Sequence, residues 1–458
     1  MPLTGIISAM RIDTLHIKNF KGFADATFDF KQFNLIVGEN GAGKTSILDA
    51  LAVASGIWLA EPPDSSLSNS GRNIYPSEIR LVPVQQGDRL QFQEASGGVS
   101  IEATGRVGET EPVIWKRQIR AGGKRTTNAE AKKAQVIIAD YFARDGKEND
   151  GVITHLLFPV IAYYGAGRAW LPSRDRSKNK TAKSPAAKRW GAFYDSLFER
   201  LRPAEIQGWF ESETIAQGNR KGLPRPGYEV VRQAVLGCVP EADAVYFDGD
   251  RKEIVFSINK RAQPFSNLSA GQRMLLSLVA DLAIKAVTQN NYLVPAEKLQ
   301  PEDAPLPRVL KLTPGVVLID ELDVHLHPRW QRSAVENLKK TFPSMQFFAT
   351  THSPQIVSET PADEIIVLNQ DGSWTRPHQT IGLSSNQVLQ DIMGASAINQ
   401  GMVEKFNAIF TLVEKGEFDA ARAQIADLRG DKNYQFPELI EAESYMEAVD
   451  AAAKEEQA

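Results

Sequence analysis

The sequence predicts an α/β fold: a mostly parallel core sheet with an antiparallel β subdomain, a helical insertion and a helical C-terminal tail. Three observations carry this. Continuous apolar runs that end in a small or acidic tip recur at FNLIV (33–37), GVVLID (315–320) and MQFFATTHS (345–353), as buried parallel strands do. Alternating apolar and polar residues fill 89–120 between Gly-rich turns. From about residue 384 the apolar spacing becomes helical, with Phe406, Ile409, Phe410 and Val413 on one face.

In chain order, RIDTLHIKNF at 11–20 alternates Ile12, Leu15, Ile17 and Phe20 with polar residues and reads as a strand, and ATFDF at 26–30 as a second. FNLIV leads into a glycine-rich loop and a helix at 44–57, whose Ile47, Leu48, Leu51 and Ala52 share one face. LQFQ, VSIEA and VIWKRQI within 89–120 read as one antiparallel subdomain, and LLFPVIAYYG at 156–165 as a buried strand. Residues 166–190 hold Arg168, Arg174, Arg176, Lys178, Lys180, Lys183, Lys188 and Arg189 against Asp175 alone. That reads either as a solvated loop or as a DNA-phosphate contact, with Trp170 and Trp190 placed to stack single-stranded bases. Helices are expected at about 190–215 and 226–237, a strand at EIVFSI (253–258) and a helix at 270–288. Four prolines at 295, 301, 305 and 307 mark 289–312 as a surface linker. DEIIVLN at 363–369 is a further buried strand. The organisation expected is 1–165 as an N-terminal lobe, 166–250 as basic loop and helical insertion, 251–383 as a second lobe, and 384–458 as an acidic helical tail. The tail carries 13 acidic and 6 basic residues over 400–458, which suits an oligomer or partner surface, or a solvated pair of helices.

Composition excludes several classes. Lys+Arg 52 against Asp+Glu 56 gives −4, so no global field draws nucleic acid. Cys238 is the single cysteine, so no intrachain disulfide exists, and it reads as a small core filler. No apolar run approaches the roughly 18–20 residues of a membrane span. The opening residues lack a basic region followed by a long apolar run, so the expected location is cytoplasmic without direct membrane contact. Heptads are not sustained, and no internal repeat is found.

The chemistry concentrates at four strings. GENGAGKT at 38–45 follows a buried strand and opens a helix. Its glycines Gly38, Gly41 and Gly43 let successive N–H groups point inward, and the helix N-terminus favours phosphate. Lys44 reaches β- and γ-phosphates, Thr45 offers a hydroxyl to Mg²⁺, and Asn40 and Ser46 complete the loop. VVLIDE at 316–321 puts Asp320 and Glu321 at a strand's carboxyl end: Asp320 as the Mg²⁺ ligand, Glu321 to orient and polarise a water. TTHS at 350–353 sets His352 at another strand tip, as a γ-phosphate contact. NLSAGQR at 267–273 places Ser269, Gly271 and Gln272 at a helix N-terminus, an anion site still lacking its phosphate.

In the chain order GENGAGKT, NLSAGQR, VVLIDE and TTHS, these four strings resemble the ABC-type ATPase superfamily, whose ligands are ATP and Mg²⁺. The resemblance assigns Walker A to 38–45, the signature to 268–272, Walker B to 316–321, the D-loop to the region of Asp323 and the switch histidine to His352. It implies a head-to-tail homodimer or higher oligomer in which the signature caps ATP held by the partner chain. KNFKGF at 18–23 and DELDVHLHP at 320–328 are similar to the soluble RecF and SMC branch; transporters carry Ser-Ala-Leu-Asp after the acidic pair. His325 and His327 are read as D-loop interface residues rather than metal ligands. No Q-loop is placed: Gln85 and Gln86 are candidates by distance, while the strand tip at 163–165 fits better topologically but has no glutamine.

No coiled coil interrupts the 225 positions from Lys44 to Ser269, unlike SMC and break-repair ATPases, and the tail does not look like a nuclease domain. FPVIAYYGAGRAW at 158–170 and LRGDKNYQFPELIEAE at 428–443 resemble compact defence ATPases, nearest the PtuA ATPases of Septu anti-phage systems. That resemblance implies a separate HNH nuclease partner, PtuB, whose activity the ATPase regulates. A RecF-like, ATP-gated DNA clamp and the nucleotide-binding subunit of a transporter remain as alternatives.

Overall fold

A computed structural model describes residues 9–60, 71–86, 89–108, 111–149, 152–169, 189–194, 196–197, 201–395, 400–429 and 436–455. The basic residues at 174–188 and Trp170 lie outside this set. The chain divides into two compact units, up to Val388 and from Leu389 onward.

The first unit begins with β1 (Met10–Phe20) and β2 (Phe23–Asp29), paired antiparallel. Lys21 and Gly22 form the tight turn, with Lys21 at φ 50°. Further along, β4 (Leu81–Gln86) and β5 (Arg89–Glu94) make a hairpin, and β6 (Val99–Val107) and β7 (Val113–Ile119) follow. Strand order β2-β1-β6-β7 defines a four-stranded antiparallel sheet. Its inward row, including Ile12, Leu15, Ile101, Trp115 and Arg117, is buried. LQFQ does not join that sheet as expected. It sits in β5, which among the described residues pairs with β4 alone, and every residue of β5 is exposed. Period-2 alternation marks a strand but not its partner.

The core sheet uses β3 (Phe33–Gly38), β10 (Val160–Tyr164), β14 (Gly315–Ile319), β15 (Met345–Thr350), β16 (Ile365–Leu368) and β17 (Trp374–Thr375). Their order across the sheet is β10-β14-β15-β3-β16-β17. The first five are parallel and β17 is antiparallel to β16. Complete burial of β10, β14 and β15 explains their unbroken apolar sequence. Helix α1 (Lys44–Ser55) leaves the tip of β3 and packs between the two sheets. On the antiparallel side, Trp115 Nε1 donates to Ala54 O at 3.1 Å and Arg117 donates to Val53 O at 2.7 Å.

Helix α2 (Lys132–Arg144) and a short ladder of β8 (Glu148–Asn149) and β9 (Val152–Ile153) lead to β10. The expected helix at 190–215 is corrected. Arg189–Phe193 is a 3₁₀ turn, and α3 starts at Pro203, whose fixed φ and missing N–H suit a first helical position, and runs to Asn219. Arg189 and Trp190 do not present a nucleic-acid surface. Arg189 ion-pairs with Asp145, and Trp190 packs edge-on against Phe158 at 4.7 Å and Phe142 at 5.0 Å.

Helix α4 (Pro226–Cys238) holds the buried Cys238, whose thiol burial pushes up to about 12. Next come a three-stranded sheet, β11 (Ala242–Asp248), β12 (Glu253–Ile258) and β13 (Arg261–Pro264), and then α5 (Ala270–Gln289). The 289–312 linker is partly structural. Asp303 is buried and accepts the Gln300 and Arg308 amides, opening α6 (Arg308–Leu312), whose Val309, Leu310 and Leu312 are buried. Helices α7 (Pro328–Thr341) and α8 (Pro354–Ser358) and the single turn α9 (Ser385–Gln387) complete the unit.

The second unit packs α10 (Gln400–Glu414), α11 (Phe418–Arg429) and α12 (Pro437–Glu455) around Phe406, Ile409, Val413, Ile425, Leu439 and Met446. Among the described residues no helix is long and apolar enough to cross a membrane.

Candidate nucleotide-binding site

The carboxyl ends of β3, β14 and β15 converge, and the residues at their tips bond one another. The centre is Asp320, 6% exposed, just past β14. Thr45 Oγ1 donates to its Oδ2 at 2.9 Å from the first turn of α1. Thr350 Oγ1 donates to its Oδ1 at 2.6 Å from the tip of β15. The Asp320 amide donates to Tyr164 O at 2.8 Å, which ties in β10. One carboxylate therefore draws together residues 275 and 30 positions away. Charge-assisted bonds of this kind are about twice as strong as neutral ones.

Glu321 follows in the left-handed region, φ 51°. Its amide donates to Thr350 Oγ1 at 2.7 Å, and the next amide, Leu322 N, to Thr350 O at 2.8 Å. Those bonds hold a backbone conformation that otherwise costs on the order of 1 kcal/mol. The carboxylate of Asp323 turns onto the neighbouring strand tip: its Oδ1 accepts from Thr351 Oγ1 at 2.6 Å and from the His352 amide at 3.1 Å. His352 itself is exposed.

The GENGAGKT loop stands beside this network. Gly43, at φ 107°, caps α1 from a region closed to side chains, and a Cβ there would strike the Phe23 ring at 2.9 Å. Lys44 is buried, and its Nζ donates to Gly38 O at 2.8 Å and Glu39 O at 2.9 Å, inside the curl of the loop. Burial pulls its ammonium below the ordinary lysine value; Asp320, Glu321 and Asp323 oppose this. Asn40 and Gly41 are exposed at the loop's crest and Ser46 is half-buried. Gln370 donates to the Glu39 carboxylate from beyond β16. A cation held by two loop carbonyls beside a helix N-terminus fits a phosphate chain, and the adjacent Thr45 hydroxyl and Asp320 carboxylate are hard oxygen donors that fit Mg²⁺.

Ser269, Gly271 and Gln272 do not join this network. Ser269 Oγ accepts the Gln272 amide at 3.2 Å and Gln272 Oε1 accepts the Ser269 amide at 2.9 Å, a reciprocal cap that opens α5. Gly271 lies flat against the D-loop: a Cβ there would stand 2.0 Å from His325 O. His325, at φ 60°, presents that carbonyl, and His327 Nδ1 caps α7 by accepting the Arg329 amide at 3.3 Å.

At the β10 tip, adjacent tyrosines reach opposite ways. Tyr163 Oη donates to Asp49 Oδ1 on α1 at 3.4 Å, and Tyr164 Oη to Asp281 Oδ2 on α5 at 2.6 Å. Burial, with Asp281 beside it, holds the Tyr164 phenol well above its usual pKa. The glutamines considered for a Q-loop lie on the β4–β5 hairpin.

In TTHS the histidine is the residue whose chemistry stands out in the sequence. Thr350 and Thr351 also organise the site, and the signal available was their position at a strand tip. In KNFKGF, Lys21 bonds Asp49 of α1 in a largely buried ionic group with Arg72 and Glu78.

A family described as "AAA domain" matches residues 14–212, and one described as "AAA domain, putative AbiEii toxin, Type IV TA system" matches 241–358. The chain is 38% identical over 403 residues to the Septu protein PtuA of Bacillus thuringiensis, covering 84% of each. It is also 38% identical over 412 residues to the Retron Vc95 probable ATPase of Vibrio cholerae serotype O1 biovar El Tor, covering 79% of this chain and 74% of that one. An SMC head bound to the C-winged helix domain of ScpA aligns at 14% identity and TM-score 0.43, over 80% of this chain and 97% of that one.

Proposed function

The chain belongs to the ABC-type ATPase family that includes the Septu protein PtuA and the retron ATPases, and on that premise we propose that it is an ATP-driven switch. Two copies close head to tail on ATP and thereby regulate a separate effector nuclease in anti-phage defence. The observation that carries the reading is the Asp320 carboxylate, shared between Thr45 and Thr350, with Glu321 fixed beside it.

In this reading Lys44 exchanges its two carbonyl partners for β- and γ-phosphate oxygens, which repay the cost of its burial. Gly38, Asn40, Gly41, Gly43 and Ser46 shape the cradle around the same phosphates. Thr45 and Asp320 would hold Mg²⁺, which when bound neutralises charge on the phosphates. Glu321 holds the attacking water and takes its proton. His352 contacts the γ-phosphate, and Asp323 sets the backbone that carries it. Ser269, Gly271 and Gln272 act on the other copy's ATP, with the α5 N-terminus as their anion site. The nucleotide is then part of the interface, so turnover opens it.

The test is to purify the chain with its native neighbours and weigh the assembly with and without ATP. The reading expects a co-purifying nuclease whose cleavage changes with ATP. DNA-stimulated turnover in a preparation with no partner would overturn the effector role and favour a DNA clamp.

A further inference from the structure

We propose that Gln331 is a positioning residue that locks the D-loop to the segment carrying His352. Gln331 sits on α7, past the D-loop in sequence. Its amide nitrogen donates to Leu326 O at 2.9 Å and Asp323 O at 3.3 Å, the carbonyls on either side of the D-loop bend. Its amide oxygen accepts from Ser353 Oγ at 2.7 Å, on the residue after His352. Both ends of one side chain are thus engaged, one on each segment.

The bonds form a closed circuit. Ser353 N donates to Thr351 Oγ1 at 3.0 Å, Thr351 Oγ1 to Asp323 Oδ1 at 2.6 Å, and Gln331 returns from the Asp323 carbonyl to Ser353. His352 lies inside the circuit by its backbone, through its amide on Asp323 Oδ1, and outside it by its exposed side chain. Its main chain therefore has little freedom, while its imidazole is presented to whatever the site receives. An amide suits the circuit because it donates at one end and accepts at the other. Glutamate at 331 would face two carbonyl oxygens without a proton to give.

The inference rests on the reading in which His352 contacts the γ-phosphate, and its test separates the two. Gln331→Met and Gln331→Glu are made in the wild-type chain and in His352→Ala, and kcat, KM for ATP and melting temperature are measured. Gln331→Glu keeps the side chain's shape, should Gln331→Met fold poorly. The expected result in the wild-type chain is a roughly tenfold loss of kcat with KM within about twofold and folding retained, because a displaced group loses rate rather than ground-state binding. In His352→Ala the same substitutions should change kcat by less than about twofold, because the two residues act as one unit. Equal losses in both backgrounds, or a raised KM with kcat unchanged, would overturn the proposal. A slow His352→Ala beside a fast Gln331→Met would remove the inference alone. Wild-type turnover in His352→Ala would remove the γ-phosphate role of His352, and Gln331's role with it.

Discussion

Gly271→Ala adds one methyl group where the fold leaves no space. The new Cβ would lie 2.0 Å from His325 O, 2.6 Å from His325 C and 3.1 Å from Leu326 N, all backbone atoms. An ordinary carbon–oxygen contact is about 3.3 Å, so the D-loop and the start of α5 must separate by about 1.3 Å. His325 is already in the left-handed region, so its backbone has little ease of movement. Overpacking of this kind costs about 1–3 kcal/mol, a drop of a few degrees in melting temperature for a chain of this size. The functional loss should be larger. The shift moves the Asp323 segment, and misplacement of about 1 Å can cost up to a hundredfold in rate. Calorimetry and a coupled ATPase assay, with nucleotide affinity by fluorescence, measure the three effects. The expectation is slight destabilisation, unchanged affinity at the chain's own GENGAGKT loop, and turnover reduced at least tenfold. Wild-type melting together with wild-type turnover would refute the packing argument.

Two further outcomes follow from buried cations. Burial lowers the Lys44 pKa below 10.5, and bound phosphates favour its charged form. ATP affinity should therefore hold while Lys44 is protonated and fall as pH rises through that lowered value; a titration flat to pH 10.5 would contradict this, and Lys44→Arg should show no such fall. Arg117, 2% exposed, donates to Val53 O, Arg72 O, Asn73 Oδ1 and Asn128 Oδ1, and burial brings its pKa down to about 10. Arg117→Met removes the donor from one buried and three part-buried acceptors and should cost about 3 kcal/mol, read as a lower urea midpoint; an unchanged midpoint would remove the role.

The parallel strands were legible because burial on both faces leaves a continuous apolar run. Each glycine, acid or histidine after such a run then falls at a carboxyl end, where Lys44, Asp320 and His352 stand. The bonds between those tips were less legible. Thr350 and Gln331 are single polar residues whose partners are set by packing, and no periodicity encodes a partner 30 positions away. Arg117 offered a signal that was missed. In VIWKRQI it shares the parity of Val113, Trp115 and Ile119, the inward row, so alternation alone placed a cation in the core. The β4–β5 hairpin shows the converse: its pattern is clear, but which strand it pairs with is a long-range decision.

In the switch proposed above, ATP joins two copies through the Ser269–Gln272 segment of one and the GENGAGKT loop of the other. Light scattering of Glu321→Gln with ATP and Mg²⁺ reads this without interference from turnover, because that chain should bind ATP without consuming it. ATP should add a copy to the assembly. With Ser269→Arg added, ATP should still bind but leave the mass as it was. A Glu321→Gln chain that binds ATP with no change in mass would contradict the claim.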